Sequence, residues 1–597
     1  MSGAVEPLDI KRVVEPRVDI NSKRAYAVLQ GGREVSNQQF ISNAYSDSNI
    51  TFDCNPPDVR TIVDKKVWFS CSLLLTFTQV GGSAGVAPLN LGQTDAPRAY
   101  PLAQIMNTLR ASINNTTVSI DANAVLNALL WYNNDRETRR LEYSETPAML
   151  DQSQSYQALY QQNRNPLGRY GQNDSEEARG GFQGVQILSN PPGGPATVLL
   201  TCREPLFLSP FLFGTDNQES GFVGVNKMQV YMQLGNLKRA WSRDALSQQT
   251  PPSAQGTVTL TSASIVAGAS SPGLFYAGIA PTLEFTYITP KELTPIPKQI
   301  FYPYFEVIEY SSAFNTLAPQ ASATQTTNAI FLSSIPRRIY FWIRASDSYK
   351  TTDPIVPISN AGSYTGTDTF AFISNISVKW GNRVGLFSSA SAQALHHMSV
   401  ENGCRLSWNQ WSGINVNNGQ AGVQDGAVGS VIAMEPGKDI GLDDLQAPGV
   451  ADGGQYFLQV TCTYQNLSVN QTIPFVSYIT VVNEGTILNE EARSVPQIGV
   501  ITRDDVLRSR DAPKVPWVAA KRVYGSGDFW SNLKSFAGKV IPFVEKAVHT
   551  GQKVLPIVKG VSSLLGGRRK GVPRSRLSGR GLERDLDEEL LENYDSE

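Results

Sequence analysis

Alternation of apolar and polar residues with a period of two dominates the chain from about residue 24 to residue 515. In 67–77 the odd positions Val67, Phe69, Cys71, Leu73, Leu75 and Phe77 form one apolar face. In 228–234 the even positions Met228, Val230, Met232 and Leu234 do the same, between Gln229, Tyr231 and Gln233. The pattern returns at 372–380 and 458–464. At 339–345, Ile339, Phe341 and Ile343 oppose Tyr340, Trp342 and Arg344. Such segments predict half-buried antiparallel strands in sheets packed face to face. Helical signals in this body are few. Pro101 opens 101–110 at a position suited to a first helical turn, and Asp121 is a candidate N-cap for 121–132.

The last seventy residues follow another rule. From Phe529 to Leu565 apolar or small residues recur every three or four positions, a helix face made by Phe529, Leu533, Phe536, Val540, Val544, Val554, Val558, Val561 and Leu565. Lys539–Val544 and Lys553–Val558 nearly repeat each other, and Pro542 and Pro556 must kink or divide the helix. Five lysines oppose one acid there, which suits a basic amphipathic segment lying on an anionic membrane or packed inside an assembly; a helical hairpin docked on the body is the plainer reading. Residues 568–580 then carry six Arg or Lys and no acid, and 581–597 carry eight acids and one Arg. Arg568, Arg569, Lys570, Arg574 and Arg576 are candidate contacts to nucleic-acid or lipid phosphates. A solvated linker offsetting the acidic end would look the same.

The domain plan that follows is an extended arm over 1–23, a first β-sandwich over 24–280, a second over 281–515, and a tail over 516–597. The tail divides into amphipathic (527–567), basic (568–580) and acidic (581–597) pieces. A length of 597 residues accommodates two large all-β domains.

Composition narrows the chemistry. Net charge is −2, so a nucleic acid or membrane would have to be met locally. Five widely spaced cysteines without a CxxC pair read as reduced, buried thiols in an intracellular setting. The N-terminal residues lack the apolar stretch of a secretory signal, and no apolar run is long enough to span a bilayer. The N-x-S/T sequences at Asn114, Asn375 and Asn466 are therefore read as chance. Three histidines support no Ser-His-Asp or Cys-His arrangement, and no nucleotide or metalloprotease motif is present. No enzyme activity, cofactor or metal is expected.

EPRVDINSKRAYAVLQGGREV (15–35), CNPP (54–57), RAYPLAQIMNTLRASINN (98–115), NPLG (165–168), YPYF (302–305), NTLAP (315–319) and SIPRRIYFWIR (334–344) follow in order along the body. Together these stretches resemble the major capsid proteins of virophages and related polinton-like viruses. The resemblance implies an all-β double jelly roll, two eight-stranded sandwiches side by side, followed by a short helical tail. It implies homotrimers forming pseudo-hexameric capsomers of an icosahedral shell, with penton and minor capsid proteins as partners, assembled in the cytoplasmic factory of an infected cell.

The resemblance also gives the tail a context. Val523-Tyr-Gly-Ser526 before Gly527, Leu564-Leu-Gly-Gly567 before Arg568, and Leu577-Ser-Gly-Arg580 before Gly581 are similar to sites cut by adenovirus-type cysteine proteases. Glycines let an extended substrate enter a narrow cleft while the apolar residue fills a pocket. Leu29-Gln-Gly-Gly32 matches too but falls in an expected strand, and is set aside. An alternative is a virion-surface binding protein of spike or lectin type, with Trp131, Tyr132, Trp408 and Trp411 as a glycan platform. Core packing would explain the same aromatics.

Overall fold

The computed structural model describes residues 32–499 except 83, 90–94, 99, 131, 133–184, 212–220, 244–256, 267–277, 293–298, 347–369, 414–428, 444–445, 452–455, 468–471 and 491–492. Within these residues two antiparallel β-sandwiches follow each other along the chain. In the first, one sheet runs in the order Gly32–Ile41, Thr282–Pro290, Trp68–Val80, Ala196–Pro205 and Val185–Ser189, with Thr257–Ile265 also pairing Trp68–Val80. Its companion runs Ala44–Tyr45, Asn49–Asp53, Met228–Leu234, Met106–Ile113 and Thr116–Asp121. In the second sandwich, Gln299–Leu317, Ile473–Glu490, Arg338–Ala345 and Val431–Met434 form one sheet, and Arg493–Ile498 adds to Ile473–Glu490. Ser322–Thr326, Tyr456–Gln465, Phe372–Trp380 and Arg383–Leu386 form the other.

Alternation builds these sheets because successive side chains of a strand point to opposite faces. Phe69, Cys71, Leu73, Leu75 and Phe77 all lie in the core, as do Met228, Val230, Met232 and Leu234 on the facing sheet. Phe52 meets Phe69 edge-on across the sandwich at 6.2 Å between ring centres. In the second sandwich Leu458, Val460, Cys462 and Tyr464 of one sheet and Ile339, Phe341 and Ile343 of the other are all buried in the core. Trp68–Val80 is the spine of the first sandwich, because three other strands pair along it.

Three sequence expectations change. Thr282–Pro290, expected in the second sandwich, pairs with Gly32–Ile41, Trp68–Val80 and Ile62–Val63, so the first sheet system runs about ten residues past 280. The helix expected over 101–110 is only Pro101–Ile105, after which the chain turns directly into the strand Met106–Ile113. Finally, Arg338–Ala345 is not half-buried: both of its faces are covered, and only Ala345 is partly open. The helix Ala122–Leu129 does start as expected, with the Asp121 side chain accepting from the Ala124 N–H at 3.2 Å. Two short helices, Ala392–Glu401 and Trp408–Ser412, were not foreseen. No described helix is long and apolar enough to cross a membrane.

Candidate functional site

The arm 1–23 and every tail position singled out above lie outside the described residues. These are the junctions Ser526/Gly527, Gly567/Arg568 and Arg580/Gly581, the apolar face from Phe529 to Leu565, and the basic run from Arg568 to Arg576. The described site with the most chemistry is the seam where the two sandwiches meet.

The seam is built on the polar face of Arg338–Ala345. That face, Tyr340, Trp342 and Arg344, is turned away from its own core and covered partly by the first sandwich. Arg344 Nη1 donates to the Asn123 carbonyl at 2.7 Å, at the start of the first sandwich's helix Ala122–Leu129. Its guanidinium carbon lies 4.5 Å from the Tyr478 ring centre, and Nη2 donates to Tyr478 Oη at 3.3 Å. A fully buried guanidinium needs such partners, since burial without them costs several kcal/mol (about 1–3 for each orphaned polar group). Tyr132, just beyond the same helix, packs edge-on against Tyr340 at 4.9 Å and donates to the Val431 carbonyl at 2.6 Å. Burial, with the neighbouring Cys404 as a further cause, holds the Tyr132 hydroxyl well above the usual phenol range. Elsewhere along the seam the Val223 N–H donates to Tyr302 Oη at 2.5 Å, and the Phe305 N–H to Ser209 Oγ at 3.0 Å.

A second polar group stabilises the far end of the same strand. Arg338 reaches Tyr340 Oη at 3.2 Å and Glu435 at 3.4 Å, and Arg337 approaches Glu435 at 3.2 Å. Burial alone would lower the Arg338 pKa; Tyr340 and Glu435 outweigh it and hold the cation. In the first sandwich, buried Glu204 accepts from the Leu102 and Ala103 N–H groups at 2.7 and 2.9 Å, which orients the helix Pro101–Ile105. Burial nevertheless pushes its pKa up to about 8.

The remaining candidates read as structure. All five cysteines are free and buried, and burial pushes Cys71 up to about 12 and Cys404 to about 11, so none offers a thiolate nucleophile near neutral pH. Of the proposed aromatic platform, Trp131 lies outside the described residues. Tyr132 and Trp411 are buried, and both donate to the Val431 carbonyl. Trp408 is half-buried and stacks on Trp411 at 5.7 Å. His396 contacts the Leu406 carbonyl and His397 lies 3.6 Å from Glu401, so the two point to different partners. Among the described residues no three His, Cys, Asp or Glu are grouped as metal ligands. The N-x-S/T asparagines are bonded within the fold: Asn114 to Gly224 and Ser494, Asn375 to Ser388, and fully buried Asn466 to Leu317 and Ala318.

Sequence reasoning did not single out Arg344 or Ser494. Arg344 carried a usable signal, a cation directly after the five apolar and aromatic residues 339–343. Ser494 carried none.

Comparison with known proteins fits this architecture. The family model of the Sputnik virophage major capsid protein first domain matches residues 9–271, and that of the major capsid protein V20 C-terminal domain matches residues 308–485. The putative capsid protein V20 of Sputnik virophage is 33% identical over 550 residues, covering 90% of this chain and 88% of its own length. The 3.5 Å cryo-EM structure of the Sputnik virophage contains a chain matched in full, with a TM-score of 0.71 at 32% identity over 88% of this chain. The crystal structure of the mavirus major capsid protein is also matched in full, with a TM-score of 0.59 at 16% identity over 86% of this chain, a likeness of fold. The two sandwiches are therefore a double jelly roll, and the chain belongs to the virophage major capsid protein family.

Proposed function

We propose that the chain is the shell-forming subunit of a virophage-type particle. Three copies associate into a pseudo-hexameric capsomer, and capsomers tile an icosahedral shell closed by penton and minor capsid proteins. The observation that carries this reading is the identity of 33% to a capsid protein across nearly the whole chain. Physical reasoning supports it: two similar rolls in one chain, repeated three times, present six comparable outer surfaces, as a hexagonal lattice requires. Burial between neighbours, not catalysis, is then the working chemistry. Assembly takes place in the cytoplasmic viral factory of the infected cell.

The tail acts during assembly and is removed afterwards. Its amphipathic face, Phe529 to Leu565, lies against membrane or neighbouring protein, and the basic run from Arg568 touches phosphates of lipid or packaged DNA. An adenovirus-type cysteine protease cuts after Ser526, Gly567 or Arg580. Electron microscopy and light scattering of the purified full-length chain test the assembly reading. Trimers and sheets or shells of hexagonal capsomers are expected; stable monomers that bind glycans would overturn it in favour of a surface-binding protein.

A further inference from the structure

The strand Arg493–Ile498 is the last described element of the chain, and one of its side chains is fully buried: Ser494. A buried serine gains little from leaving water, so its position must be held by hydrogen bonds. Every polar group of Ser494 is used. Its N–H donates to Asn115 Oδ1 at 2.8 Å, and its carbonyl accepts from Thr116 Oγ1 at 2.5 Å. Its hydroxyl accepts from Asn114 Nδ2 at 3.0 Å and donates to Asn489 Oδ1 at 2.5 Å.

Three of these four partners belong to the first roll: Asn114 and Asn115 form the turn between Met106–Ile113 and Thr116–Asp121, and Thr116 opens the second of those strands. That turn is itself firmly shaped. Asn114 adopts φ 54°, a left-handed conformation that asparagine tolerates, and its Oδ1 accepts from the Asn226 N–H at 2.8 Å. On the second-roll side, Asn489 sits directly opposite Ser494 in the ladder, and its Nδ2 donates to the Val223 carbonyl of the first roll at 3.2 Å. None of the groups bonded to Ser494 carries a charge.

We propose that Arg493–Ile498 is a strap fastening the second roll to the first, with Ser494 as its anchor, so that opening of the strap and opening of the Asn114 turn are one event. Residues that share a saturated polar network open together, and loss of one member loosens the rest. Because the anchor is uncharged, the coupling does not depend on salt.

Hydrogen exchange of the full-length chain, read on peptides covering 106–121, 493–498 and, as a reference, 372–380, tests this. In Ser494→Ala, exchange should rise at least about tenfold in both 106–121 and 493–498, the size expected for one lost buried hydrogen bond, with 372–380 unchanged. Thr116→Val breaks the clamp from the other roll and should produce the same paired response, which keeps the test available if Ser494→Ala folds poorly. The proposal is overturned if 106–121 keeps its wild-type rate in Ser494→Ala, or if 493–498 keeps its rate in Thr116→Val. A strong dependence of the wild-type rates on salt would overturn the uncharged anchor.

Discussion

At the scale of single residues, the fold places a few groups where ordinary chemistry would not choose them. Glu204 is the clearest case, a buried carboxyl facing two backbone N–H donors. Burial raises its pKa from an ordinary 4.5 to about 8, more than those donors lower it. An acid raised in this way binds more protons folded than unfolded. Its contribution to stability is complete below about pH 4.5 and is lost as pH rises towards about 8. The expected slope approaches one proton, about 1.4 kcal/mol per pH unit. Urea midpoints measured from pH 5 to pH 9 should therefore fall more steeply for the wild type than for Glu204→Gln, which cannot titrate; parallel curves would place the carboxyl in a less costly environment. Gly429 is the backbone counterpart. It has φ +94°, and an added Cβ would run into the Phe370 carbonyl. Gly429→Ala combines a forbidden conformation with a clash against backbone, so a loss of roughly 2–4 kcal/mol is expected by chemical denaturation.

At the scale of elements, position within a sheet decides what a substitution costs. Leu75 lies on the spine Trp68–Val80, in the core and paired on both sides by Ala196–Pro205 and Thr257–Ile265. Val35 lies on the edge strand Gly32–Ile41 and is 64% exposed. Leu75→Ala is expected to cost about 2–5 kcal/mol and Val35→Ala within about 0.5, compared by denaturant midpoint at equal slope. Period-two alternation made the spine legible from sequence, because one face meets the core and the other does not. The same rule misjudged Arg338–Ala345. Its second face, Tyr340, Trp342 and Arg344, looks solvent-facing in sequence but is covered at the seam between rolls. Alternation carries no information about which sheet a strand joins, so the boundary near 280 falls short of Thr282–Pro290, which pairs within the first sandwich. Ala392–Glu401 escaped notice because only Leu395 and Ser399 of its ten residues are buried, too few to set a helical period. Ser494 is invisible in sequence because three of its four partners lie about 380 positions away.

At the scale of the whole molecule, the two rolls and the tail are governed by different physics. The rolls meet through buried hydrogen bonds and aromatic contacts, at Arg344, Tyr132, Tyr302 and Ser494, which favour one fixed relation between them. The tail carries its charge in blocks, basic over 568–580 and acidic over 581–597, and three Gly-containing junctions divide it. A segment needed to build a shell and dispensable afterwards would have this separation from the body: its removal takes none of the described strands, because Arg493–Ile498 precedes the first junction at Ser526. The intact mass of the chain from mature particles decides the matter. A product ending near Ser526 is expected, and cells lacking protease activity should accumulate the full 597-residue chain. Full-length chain in mature, protease-competent particles would refute obligatory cleavage while leaving the shell-forming role intact. Ends at Gly567 or Arg580 would instead mean that the amphipathic piece stays in the particle, and would make its apolar face a permanent contact.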